Sequence, residues 1–352
     1  MNAQMTNPKA FRASGPFETL KHQLGPLVEL PGTWVGQGFN LIWLPVPPKD
    51  RQTPTVRQNG DDFRLQLNAV HERLTFSNTG MIPNRGHDQP DIKFFGVSYL
   101  QEINDAEKDD TLHIETGMWL NLPKDNKDPS SSPWKWSVAR MATIPHGDAL
   151  FAQGPYKLPS RFDPNKGPFL GFVPDPTPFK LDGNGVRVNM TKDSAPEILD
   201  ALNSASAPAG ITQEAILNPN QVLIDALNNQ KSKYNQNVIK TVVMAVSANP
   251  VGNIDLTQPD KDDAAHKAQN AKPDGTPAIP ANPNITGNVK NIPFVDRNAN
   301  ADSFAAIFWI ETIQNPDGSC FMQLQYTQAV ILEFPPGGLK WPHISVATLV
   351  KR

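Results

Sequence analysis

Apolar and polar residues alternate with a period of two along much of this chain, the pattern of strands that bury one face and wet the other. Residues 63–70 alternate cleanly and residues 72–76 continue in phase. Residues 91–103 and 111–122 follow as a pair around the polar turn 104–110, and residues 134–154 read as strand, turn, strand. The same pattern returns at 304–313 and 321–334, joined by Asn315-Pro316-Asp317-Gly318, a strong hairpin turn, and again at 341–350. The stretch 25–48 organises the rest. Leu30-Pro31-Gly32 reads as a buried turn feeding a Trp-anchored strand from Thr33 to Phe39. Gly36 and Gly38 share one face of that strand, so a neighbouring backbone or a bound ligand can come close to it.

Between these blocks the period changes. Residues 162–178 are rich in Pro and Gly, and residues 212–230 carry a helical apolar stripe capped by Thr212, which Pro219 should kink or divide. A β-branched strand at 237–247 and a polar, low-complexity linker at 258–283 follow. The expected architecture is mainly β: an antiparallel, lipocalin-like or fatty-acid-binding-like closed barrel, with residues 1–24 as an arm, 25–155 and 302–352 as the barrel, and 156–301 as a loop-rich insertion with a helix. One strand early and three at the end suit closure, which removes exposed edges. A β-sandwich with a separate helical subdomain is the alternative.

Composition narrows this picture. The 352 residues suffice for a sizeable core, and 35 prolines, about twice the usual share, point to a loop-rich globular protein. The 32 Lys and Arg against 35 Asp and Glu leave a net charge of -3 with no basic stripe, so no nucleic-acid partner is expected. No run of about 20 apolar residues suggests a membrane span, and the first residues lack the apolar core of a secretory signal, so the expected location is cytoplasmic. The single cysteine, Cys320, excludes an intrachain disulfide and is expected to be a packed strand residue. The tryptophans are expected in the core or around a cavity.

Leu24-Gly25-Pro26-Leu27 followed by Gly32-Thr33-Trp34-Val35-Gly36-Gln37-Gly38 resembles the opening of the nitrobindin-like β-barrels. Leu112-His113-Ile114-Glu115-Thr116-Gly117 in the middle and Pro342-His343-Ile344-Ser345 near the end extend the resemblance in the same order. The resemblance implies a haem b bound inside the barrel with His343 as the iron ligand, Trp34, Gly36 and Gly38 near the cofactor, and chemistry on peroxynitrite or other reactive nitrogen and oxygen species. A neutral imidazole is a good axial ligand, whereas a strand-end histidine bonded to a neighbouring group is the plainer reading of His343. His113 and Glu115 share a strand face, as a hydrogen-bonded pair or a site for metal or proton transfer, and His146 lies in a turn, exposed by default. Two other functions fit the pattern: a metal-free barrel for an apolar, fatty-acid-like molecule, or an interaction protein with a filled barrel. In the latter, Phe169, Leu170, Phe172, Val173 and Phe179 would pack over the opening. No nucleophile elbow, phosphate loop or dinucleotide fingerprint occurs.

Overall fold

The computed structural model describes residues 23–46, 56–58, 61–84, 92–122, 138–154, 156–157, 174–183, 187–248, 287–293, 295, 298–335 and 338–352. Among the described residues, fifteen strands run in chain order: β1 (Gly32–Val46), β2 (Val56–Gln58), β3 (Asp61–Asn84), β4 (Ile92–Asp105), β5 (Thr111–Asn121), β6 (Val138–Ile144), β7 (Asp148–Gly154), β8 (Tyr156–Lys157), β9 (Phe179–Leu181), β10 (Arg187–Asn189), β11 (Asn237–Ala248), β12 (Gly287–Asn291), β13 (Asn300–Gln314), β14 (Cys320–Glu333) and β15 (Trp341–Lys351). Helices α1 (Pro196–Ser204), α2 (Glu214–Leu217) and α3 (Gln221–Tyr234) lie between β10 and β11.

Ten of the strands form a closed antiparallel barrel in the order β7-β6-β5-β4-β3-β1-β15-β14-β13-β11. The seam closes where Ser247 of β11 pairs with Gln153 of β7 and the next two-residue strand, β8, pairs along β11 through Met244 and Val243. At the other end of β7, β12 takes over as its neighbour, from Gly287↔Ala152 to Asn291↔Asp148. The strand expected inside the insertion at 237–247 is therefore a barrel strand, paired with β13 over its whole length. Its β-branched, apolar residues occupy both faces because both are covered.

Alternation sorts the core into two clusters. One gathers Trp34, Leu74, Tyr99, Trp119, Phe308, Tyr326 and Leu349 from strands all around the sheet and is the barrel interior. The other joins Phe39, Leu41, Trp43, Val243, Ile307 and Trp309, on the opposite face, to Ile198, Leu202, Ile216 and Leu223 of the helices. The helices thus cover the outer wall on one side. Pro219 divides the expected helix 212–230: Asn218 closes α2 through its N–H to the Glu214 carbonyl, and α3 begins after Asn220. The left-handed Asn235 then stops α3, its N–H bonded to the Lys231 carbonyl.

The interior is closed at one end. A 3-10 turn at Gly25–Glu29 puts Leu24, Leu27 and Leu30 among the buried interior residues, and Trp34 Nε1 donates to the Leu30 carbonyl at 2.8 Å. Leu24, assigned to the arm, thus belongs to the barrel's plug. Cys320 is exposed at the first residue of β14 rather than packed, because it follows directly on the turn Asn315 to Ser319 at the end of the β13–β14 hairpin. Phe179 is buried against the ladder through paired bonds with Lys340; Phe169, Leu170, Phe172 and Val173 lie outside the described residues, as do Trp134 and Trp136. Among the described residues, no helix is long and apolar enough to cross a membrane.

Candidate ligand cavity

Opposite the plug, the interior opens into a cavity of about 510 Å³. Its apolar walls come from alternate positions of the strands, among them Ile42, Val70, Ile103, Leu150, Phe304 and Val330. Its polar positions are Asn40, Gln66, Gln101, His113, His146, Asp148, Asn298, Tyr326, Gln328, His343 and Ser345. Three histidines far apart in sequence therefore meet one space.

His343 faces inward because it shares the phase of Ala347 and Leu349, both in the interior cluster. It pairs with Ile42 of β1, and its Nε2–H donates to Asn40 Oδ1 at 2.7 Å, an oxygen that also accepts from Ser345 Oγ at 3.0 Å. Burial drives its pKa down to about 3, with His113 and His146 pushing the same way, so the imidazole stays neutral. The other residues expected around the cofactor lie elsewhere. Trp34 is under the plug at the closed end. A Cβ on Gly36 would sit 2.0 Å from the Thr348 carbonyl oxygen, and one on Gly38 2.3 Å from that of Val346. What comes close to this strand is the backbone of β15.

Beneath the cavity lies a buried polar layer. Glu115 accepts from Arg140 at 2.6 Å, from Tyr99 OH, and from His113 Nε2 at 3.2 Å. Arg140 also donates to Tyr99 OH at 2.9 Å and to Gln328 Oε1 at 2.8 Å, and its guanidinium lies over the rings of Phe304, Phe308, Tyr99 and Trp119. Burial acts to raise the Glu115 carboxyl, but the Arg140 charge and these donors outweigh it and hold it at about 2. A permanent carboxylate only accepts, so His113 carries its proton on Nε2. Beside this pair, Glu72 accepts from Tyr326 OH at 2.7 Å and Gln101 Nε2 at 2.8 Å, yet burial lifts it to about 7. The His113 and His146 rings lie 5.1 Å apart, and burial with His113 as neighbour keeps His146 below the ordinary histidine value.

The chain matches no family model and no curated protein. Among solved structures it is similar to the crystal structure of Rv2717c from M. tuberculosis, over 95% of this chain and 97% of that one, at 11% identity and a TM-score of 0.36. At that score the likeness adds nothing to the architecture already fixed by the strand pairings.

The pairing of His113 with Glu115, two residues apart on one face, is legible in the sequence. The parts played by Tyr99 and Glu72 carry no such local mark. A signal for Arg140 was present: it is the lone charge in the apolar strand VARMATI, at the phase of the buried Val138 and Ala142. Among the described residues, no group of three or more His, Cys, Asp or Glu is placed to hold a metal ion.

Proposed function

We propose that this protein is a β-barrel that binds a small, largely apolar molecule in the cavity at its open end, oriented by the polar side chains there. The observation that carries this is the cavity itself: the closed end is packed by Leu24, Leu27 and Leu30, while about 510 Å³ at the other end is left between apolar walls and a few converging polar groups.

Haem b is the first ligand to test. The donor chemistry fits: His343 offers a neutral imidazole to an apolar-walled cavity. Its Nε2 proton, now given to Asn40, would have to move to Nδ1 before Nε2 could bind iron. A bound haem would supply the nitrogen-oxide chemistry that the nitrobindin resemblance implies; the chain's own part is to hold it through His343, surround it with apolar walls and exclude water. The metal-free reading has its own support, since His343 Nε2 is already satisfied by Asn40 and needs no ligand. A haemin titration followed by absorbance, run beside His343→Ala, separates the two. A Soret band that shifts and saturates at one equivalent in the parent only supports haem. Identical behaviour of parent and variant removes haem on His343 and leaves the metal-free ligand.

A further inference from the structure

Among the cavity's three histidines, His113 is the one whose ring is braced by a carboxylate. Glu115 takes the proton on Nε2, and Nδ1 has no hydrogen-bond partner among the described residues. The ring is held in place from behind by a carboxylate that is itself pinned by Arg140, so its orientation is set before any ligand arrives. Neutral, it presents an acceptor to the cavity; protonated, it presents a charged donor.

Resting on the cavity being a ligand site, we propose that the ligand carries an acidic group, a carboxylate or a similar small anion, which docks at His113 beside His146, and that its binding loads one proton from solvent onto His113 Nδ1. The charges around the ring favour this. Glu115 is offset by Arg140, so a neutral His113 leaves that cluster uncharged and a protonated one makes it positive toward an incoming anion. His343, on β15, stays neutral through its burial. Glu72, on β3, has its carboxyl lifted toward the neutral form and its oxygens occupied by Tyr326 and Gln101. His146, from the turn after β6, is the nearest competitor for the proton and is disfavoured by its burial first and by His113 second. In the same cavity, Gln328 has its Oε1 held by Arg140, which leaves its NH₂ as a second donor.

The test uses two dyes with closely related apolar bodies: 8-anilinonaphthalene-1-sulfonate, a permanent anion, and uncharged N-phenyl-1-naphthylamine. The anion's affinity should fall at least about five-fold between about pH 5.5 and about pH 8, while that of the neutral dye stays flat, and each should displace the other. Calorimetry in buffers of different ionisation enthalpy should show proton uptake with the anion, equal at each pH to the slope of its log affinity against pH. His113→Gln should flatten the anion's pH profile, and a far-UV circular dichroism spectrum and urea midpoint close to the parent's show that the variant is folded. An anion profile that is flat in the parent, or that persists in His113→Gln, overturns the proton-linked site while leaving the cavity reading standing. Failure of both dyes overturns the cavity reading itself.

Discussion

At the scale of single residues, the Glu115–Arg140 pair decides what the interior can be. Both side chains are almost wholly enclosed, 1% and 2% exposed, so neither charge is relieved by water. Removing one partner strands the other. Arg140→Met should cost about 3–5 kcal/mol, read as a lower urea midpoint, whereas adding Glu115→Gln to it should recover a large part of that loss. A loss under about 1 kcal/mol would mean that the pair is screened and the cavity floor is wet. The same pair gives His113 its fixed tautomer, which links packing to the chemistry of the cavity. Nothing local in the sequence joins these two residues, which meet only because β5 and β6 are neighbours in the sheet with Trp119 opposite Arg140.

At the scale of elements, β1 shows how a strand can be shaped for its neighbour. Gly36 and Gly38 lie opposite Leu349 and Ala347 of β15, and the carbonyls of Thr348 and Val346 occupy the space a side chain would need. Gly36→Ala must push the two strands apart and should cost about 1–3 kcal/mol of stability, with little change in ligand affinity per folded molecule because Gly36 does not line the cavity. Denaturant melts and dye binding on the same preparation check both halves. A folded, undiminished variant that lost only ligand binding would return this strand to the ligand site. The outer helices follow a similar logic. Ile198 and Leu202 sit four residues apart on α1, and Leu223 on α3 is fully buried against the same wall, so these short helices owe their stability to docking.

At the scale of the whole molecule, two buried carboxyls set how stability responds to pH. Burial lifts Glu72 to about 7 and Glu311 to about 8, in each case against hydrogen bonds that pull down. A carboxyl raised by folding keeps its proton in the native state while the unfolded chain loses it, so the native state binds more protons above the ordinary value of 4.5. Stability should therefore be greatest at the acidic end of this window and fall as pH rises from about 4.5 toward 7 for Glu72 and toward 8 for Glu311, by at most about 1.4 kcal/mol per pH unit for each group. Glu115, depressed to about 2, acts in the opposite direction only below about 4.5. Glu311→Gln should flatten the upper part of the curve, and urea midpoints across the range check it; a slope unchanged in the variant would place the proton elsewhere. Much of this architecture is local in origin. Period-two alternation and turn chemistry by themselves determine the strands, the hairpin at Asn315 to Gly318 and the break at Pro219, since each depends on residues a few positions apart, whereas the inward face of His343 does not follow from alternation because Ile344 and Val346 make the other face of that strand equally apolar. Only the tertiary structure decided that Asn237–Ala248 closes the barrel, that a backbone rather than a ligand fills the gap beside Gly36, and that Arg140 meets Glu115 above the plug while three histidines share the cavity. Those outcomes depend on which strand pairs with which and in what register, and an alternating strand carries the same pattern whatever neighbour it finds.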